Sequence, residues 1–251
     1  MSVMRSELVS YTNIALSIDK FSDYCPNGLQ VEGRSDIRKI VAGVTACQAL
    51  IDAAIAAEAD LILVHHGYFW KGESQPIVGM KYRRIKAMMS ADMNLLAYHL
   101  PLDAHPNLGN NAQLGLRLGF ENPSYLSEAD NTLGMVATLP EPISGEELQA
   151  RIKNVVGRDV IHVAVDKPIQ RVAWCTGAAQ RFIDAAIDAG VDAYISGEIS
   201  EPTAHSAREE GVHYFAAGHH ATERYGVQAL GDWMVEKFGV VHTYVDDDNP
   251  A

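Results

Sequence analysis

Two histidines stand side by side at the end of an apolar run in "DLILVHHGYFW" (60–70). A second pair, His219 and His220, closes another apolar run in "YFAAGHHATE" (214–223), with Glu223 four residues beyond His219. A third run, "NLLAYHLPLD" (94–103), carries His99 and then Asp103 at the same four-residue interval. Ten histidines in a chain of this length give about 0.4 adjacent pairs by chance, and here there are two. Imidazole nitrogen and carboxylate oxygen are ligands for divalent transition metals. His65, His66, Asp103, His219 and Glu223 are therefore candidate metal ligands. An isolated histidine is more often a core or surface residue, so the inference rests on the shared position of these residues at predicted strand ends. Neighbours on a strand point to opposite faces, so His65 and His66 most naturally reach two different cations. Gly67 permits the turn that one shared cation would need. His219 and Glu223 share a face if a helix starts there. A carboxylate can bridge two cations and an imidazole cannot. Three imidazoles and two carboxylates thus suit two divalent ions per chain. Without thiolate, the set does not choose among zinc, iron, manganese, cobalt and nickel.

The elements that carry these residues repeat. "IDAAIAAEAD" (51–60) and "IDAAIDAGVD" (183–192) are identical at seven of ten positions. Each follows a short apolar strand, "KIVAGV" or "RVAWCT", and leads into another, "LILV" or "AYIS". Each reads strand, helix, strand, with apolar residues at helical spacing between the strands. His65 and His66 of the first copy face Gly197 and Glu198 of the second. A further echo sets 94–103 against 214–223, matching His99 with His219 and Asp103 with Glu223. Helices follow in both, "NNAQLGLRLG" and "VQALGDWMVEKFG", each closed by a glycine suited to positive φ. Residues 132–166 read as strand, helix, strand, with Ser144 and Glu147 forming a capping box. The expectation is an α/β fold of two related halves, 1–125 with His65, His66 and Asp103, and 126–251 with His219 and Glu223. The functional cleft would gather the C-terminal ends of their strands.

Composition limits the alternatives. The chain has 251 residues, 47% of them apolar, and a net charge of -12. An acidic surface disfavours binding to a phosphate backbone. The basic stretch "MKYRRIKAMM" (80–89) reads as a solvated helix face. No run has the length of a membrane span, and the start lacks the apolar core of a signal peptide. The three cysteines are scattered, as expected of buried thiols in a reducing cytoplasm. Gly177 in "TGAAQ" reads as a tight turn, with phosphate binding as the alternative. Tyr68, Phe69 and Trp70 read as core or subunit contacts, with stacking on a heterocycle as the alternative.

The motifs "LILVHHGYFW", "YHLPLDAHPNLGNNAQLG", "CTGAAQ", "AYISGE" and "AAGHHATERYGVQAL", in this order, resemble the GTP cyclohydrolase 1 type 2 homologue family, also called Nif-three-like. The resemblance runs from "CPNGLQVEG" to "VVHTYV" and points to the short bacterial form. It implies intertwined α/β halves, a dinuclear metal site and a toroidal homohexamer. It also implies that His66 and Asp103 hold one metal, that His65 and His219 hold the other, and that Glu223 bridges them. His99 and Glu198 then stand where they could brace a ligand or move a proton. The family name implies hydrolysis of a nucleotide or heterocyclic small molecule. Two other functions compete: a metal carrier or scaffold without turnover, and a metal-dependent phosphoesterase.

Overall fold

The structure is a computed structural model that describes residues 1–127 and 133–251. Thr132, the first residue of the predicted 132–166 element, lies outside the described residues. The chain forms two compact units that interleave along the sequence. The first takes Met1–Leu108 and Gly226–Asp248, and the second takes Gly109–Tyr225 and Asn249–Ala251. Among the described residues, no helix is long and apolar enough to cross a membrane.

The first unit is built on a five-stranded sheet. Its order is Val241–Tyr244, Lys39–Thr45, Leu61–His66, Asn94–Ala97 and Gly28–Val31. The first four strands are parallel and the last is antiparallel to Asn94–Ala97. Parallel strands buried on both faces read as unbroken apolar runs, and alternate residues divide between two cores. Ile40, Ala42, Leu61 and Leu63 enter one core with Leu8, Val227, Leu230 and Met234. Val41, Ile62 and Val64 enter the other. There they meet Leu50, Ile51 and Ala54 of the helix Gln48–Ala56, and Ile85 and Met88 of the helix Gly79–Ser90. That second helix is the basic stretch. Its Lys81 pairs with Glu73 at 3.2 Å, and Lys86 lies over the Tyr82 ring.

The second unit has a six-stranded sheet. Its order is Ser124–Tyr125, Met135–Ile143, Ile169–Cys175, Ala193–Ser196, His213–Ala216 and Ile161–Val163. The three strands from Ile169 to Ala216 are parallel, and Ile161–Val163 closes their edge antiparallel. This is the order of Lys39–Thr45, Leu61–His66, Asn94–Ala97 and Gly28–Val31 in the first unit. The helix Gly145–Val156 starts as predicted, with Ser144 accepting a hydrogen bond from the Glu147 N–H at 3.1 Å.

The register refines the second echo by one residue. Leu61 pairs with Asn94, and Ala193 pairs with His213. Since Leu61 and Ala193 are equivalent, Asn94 corresponds to His213, and His99 corresponds to Gly218 rather than His219. Both are the residues that cap the short helices after these strands.

Both sheets also share a brace at their other end. Asp60 Oδ2 accepts hydrogen bonds from the N–H groups of Arg38 and Lys39 at 2.8 and 2.9 Å, and its Oδ1 meets Arg34 at 2.9 Å. Asp192 accepts from the N–H groups of Gln170 and Arg171 at 2.9 and 2.8 Å, and pairs with Lys167 at 2.6 Å. Burial alone would raise the Asp192 carboxyl, but Lys167 and the two amides hold it below the usual carboxylate range. Its stabilising effect is therefore complete at neutral pH and fades as acid protonates it. Replacing Asp60 with Ala strands two backbone donors and is expected to destabilise the protein by about 2–4 kcal/mol. Urea unfolding measures this, and a midpoint equal to wild type would show that the brace carries no weight.

Candidate metal centre

His65 and His66 end the strand Leu61–His66. His65 is wholly buried and its Nδ1 lies 2.9 Å from the carbonyl oxygen of Tyr98. A carbonyl only accepts, so Nδ1 carries a hydrogen, and in the neutral ring Nε2 then presents a lone pair. That Nε2 faces Asp103 Oδ1 at 3.5 Å. A nitrogen lone pair and a carboxylate oxygen repel each other at this distance unless positive charge lies between them. Asp103 is buried, on the short helix Leu100–Ala104, and its N–H donates to the His99 carbonyl at 3.1 Å.

His66 lies opposite Thr45 in the sheet, and its Nδ1 meets the Thr45 hydroxyl at 3.1 Å. The two rings approach to 4.6 Å between centroids even though they leave opposite faces of the strand. The chain can turn directly after them because Gly67 leaves space. A Cβ there would strike Ala97 and the Gln30 side chain. This glycine is required by close approach rather than by its φ.

His99 joins the pair, at 5.0 Å from His65 and 5.8 Å from His66 between ring centroids. One donor atom from each of His65, His66 and His99 lies within 4.8 Å of the other two. That span is close to twice a metal–nitrogen bond of about 2.1 Å, so the donor set fits a divalent cation. Asp23 holds the third imidazole, with Oδ1 2.7 Å from His99 Nδ1. Asp23 also accepts from Leu100 N, Asn27 Nδ2 and Tyr24 N. Burial would raise its carboxyl, but the hydrogen bonds from His99 and Asn27 and the charge on His99 bring it down to about 2. Asp23 and Asn27 were not read from the sequence as site residues. "SDYCPNG" looks like a turn, and nothing in its spacing shows that the turn closes over His99. Cys25 also reaches His99 and Asp23. Burial and then the Asp23 charge push its thiol up to about 12.

In the second unit, His219 opens the short helix His219–Thr222 and Glu223 follows it. His219 Nε2 is 3.1 Å from Glu223 Oε2, and its Nδ1 is 2.7 Å from Glu198 Oε1. Burial would lower this imidazole, yet Glu223 and then Glu198 raise it to about 9. Two carboxylates on one ring make a location that favours positive charge. Gln180 Nε2 steadies Glu198 at 3.3 Å. Gly177 has a φ of 67° and donates its N–H to the Thr222 hydroxyl at 3.0 Å. A Cβ on Gly177 would fall on Glu223 Oε1. The predicted turn is present, and its glycine leaves room for a carboxylate. His220 is buried beside the set, and its N–H donates to the carbonyl of Ala251 at 3.3 Å.

Each unit thus gathers part of the predicted set. The first brings together His65, His66 and Asp103 and adds His99. The second brings together His219, Glu223 and Glu198.

A family model for Duf34/NIF3 (NGG1p interacting factor 3) matches residues 3–250. A Pseudomonas aeruginosa protein called GTP cyclohydrolase 1 type 2 homolog is 53% identical over 252 residues and all of both chains. A Vibrio cholerae protein of the same name is 53% identical over 98% of both chains. The solved structure of protein ybgI, described as of unknown function, matches with a TM-score of 0.95 and 50% identity, covering 99% of this chain and 100% of that one. A Thermus thermophilus structure matches with a TM-score of 0.90 and 30% identity over 99% of this chain and 100% of its own. At 23% identity and a TM-score of 0.85, HcgD from Methanocaldococcus jannaschii has the same fold, covering 98% of this chain and 99% of its own. With nearly its whole length matched, the chain belongs to the Duf34/NIF3 family.

Proposed function

We propose that this protein is a metal-dependent hydrolase with a dinuclear centre, acting on a nucleotide or heterocyclic small molecule. The supporting observation is His65 Nε2 set 3.5 Å from the buried Asp103 Oδ1, with the His66 ring 4.6 Å from that of His65. In this reading, His66 and Asp103 hold one divalent cation, His65 and His219 hold the other, and Glu223 bridges them. This division of ligands follows the family resemblance. The geometry inside each unit supports its parts: His65 presents Nε2 toward Asp103, and His219 faces Glu223. The names of the relatives favour ring-opening hydrolysis of a purine nucleotide over other substrates. We also propose that the halves arose by duplication, that the chain assembles as a toroidal homohexamer, and that it works in the cytoplasm.

Bound divalent cations would supply Lewis acidity and an acidified water. The chain's own residues do the rest. Tyr98 and Thr45 orient His65 and His66 through their Nδ1 atoms. Asp23 fixes the His99 ring through Nδ1, which assigns any proton exchange with substrate to Nε2. Glu198 holds the Nδ1 proton of His219 and turns Nε2 toward Glu223. A buried carboxylate at Asp103 raises the local preference for positive charge.

Elemental analysis of protein purified without chelator is expected to give two divalent metals per chain. Glu223→Gln should lose metal and GTP hydrolysis together, and a fully metallated, active Glu223→Gln protein would remove the bridging role. If wild type is metallated but leaves GTP intact, the carrier function gains.

Gly177→Ala offers an independent check. It should lower metal content, because its methyl group takes the place of Glu223 Oε1. Gly190 has the same φ of 67° with open space around it. Gly190→Ala should therefore match Gly177→Ala in backbone strain, about 1 kcal/mol, while keeping its metal. Equal metal content in the two variants would show that Gly177 makes no room for a ligand.

A further inference from the structure

Two aromatic residues, Tyr24 and Trp70, stand by the histidines of the first unit, and like Phe69 they belong to neither of its cores. Trp70 lies 4.9 Å from His99 between ring centroids, with 81° between planes, and 5.8 Å from His66. Tyr24 meets His99 edge-on at 6.5 Å while 62% of its surface stays exposed. The indole is fixed: its N–H donates to the Gly67 carbonyl at 3.1 Å, and the Trp70 backbone N–H donates to Glu73 Oε2 at 3.1 Å. The Lys71 N–H donates to the Tyr24 carbonyl at 2.6 Å, tying the two aromatic segments together.

The backbone is strained to reach this arrangement. Phe69 has a φ of 66°, a region bulky residues rarely adopt. The reversal lets Tyr68 turn inward, where its hydroxyl donates to the Ala46 carbonyl, while Trp70 returns to the imidazoles. An apolar ring kept out of the core, locked by two hydrogen bonds and set on a strained loop beside polar donors is a prepared contact surface. Large fixed aromatic faces take up flat π-systems with little loss of freedom.

We propose that Trp70 and Tyr24 form the stacking wall for a planar heterocycle of the nucleobase class, held beside His66 and His99. This deepens the hydrolase reading, because it places the substrate ring at the proposed reacting centre. The recognition itself needs only the rings.

The test is calorimetric titration of the whole protein with guanosine, and with ribose 5-phosphate as the ring-free comparison, using metal-loaded and chelator-treated samples of measured metal content. Wild type should bind guanosine in both forms, at least about tenfold more tightly than ribose 5-phosphate. Trp70→Leu should weaken guanosine binding about tenfold, and Trp70→Phe should stay within about threefold of wild type. Tyr24→Ala, at an exposed position, should weaken it about threefold and serves if Trp70→Leu fails to fold. The proposal is overturned if wild type does not bind guanosine, if Trp70→Leu binds it as wild type does, or if ribose 5-phosphate binds equally well. A protein that takes up no metal on loading yet still binds guanosine through Trp70 would keep the wall and sink the dinuclear reading. A fully metallated protein whose guanosine affinity ignores Trp70 would do the reverse.

Discussion

The Asp60 carboxylate takes the N–H groups of Arg38 and Lys39 at the point where two parallel strands begin side by side. Much of the first unit depends on this contact. It sets Ile40 against Leu61, and the pairing then runs without slip to Thr45 against His66. A shift of one residue would send every side chain of Leu61–His66 to the other face. His65 would lose the Tyr98 carbonyl, and His66 would lose the Thr45 hydroxyl. "DLILVHH" is thus a strand whose first residue fixes register and whose last two residues use it. Four apolar residues separate the two polar ends, because neither face of the strand meets water.

The same constraint explains where polar residues are permitted. Within the parallel strands of both units, burial leaves no place for an unmatched charge. Carboxylates and imidazoles gather at the ends, where backbone amides, hydroxyls and one another can satisfy them. Asp60 and Asp192 occupy the N-terminal ends and accept from amides. His65, His66 and His219 occupy the C-terminal ends or follow directly, and each is oriented by a partner on one ring nitrogen. Equivalent positions do different work in the two units. Gly177 corresponds to Thr45, and Glu198 corresponds to His66. Where the first unit sets a hydroxyl against an imidazole, the second sets a bare glycine that leaves space for Glu223.

Much of this was legible in the chain. Strand, helix, strand units showed in their apolar periodicity, because buried parallel strands and one-sided helices leave unlike patterns. The positions of His65 and His66 at a strand end, and of His219 just beyond one, were visible for the same reason. Other features depended on distant partners. The echo between 94–103 and 214–223 aligned the histidines, but sheet pairing equates His99 with Gly218, because strands are matched by hydrogen bonds rather than by residue type. Asp23 lies 76 residues from His99, and its turn fold carries no sign of that destination.

The aromatic triplet shows most directly what sequence periodicity misses. "YFW" follows a strand, and simple alternation would put Tyr68 and Trp70 on one face and Phe69 on the other. Positive φ at Phe69 breaks the alternation. Tyr68 enters the core beside Ile62 and Val64, while Trp70 stands against His66 and His99. For Tyr68 the core assignment from sequence holds. For Trp70 the ring contacts are with histidines. The separation comes from one backbone angle that no residue preference announces, since phenylalanine seldom adopts it. Strain of this kind persists only where the surrounding contacts fix it. Here those contacts are the Tyr68 hydroxyl on Ala46, the indole N–H on Gly67 and the Trp70 amide on Glu73. Three hydrogen bonds thus hold a conformation whose evident result is an aromatic face beside a cluster of imidazoles.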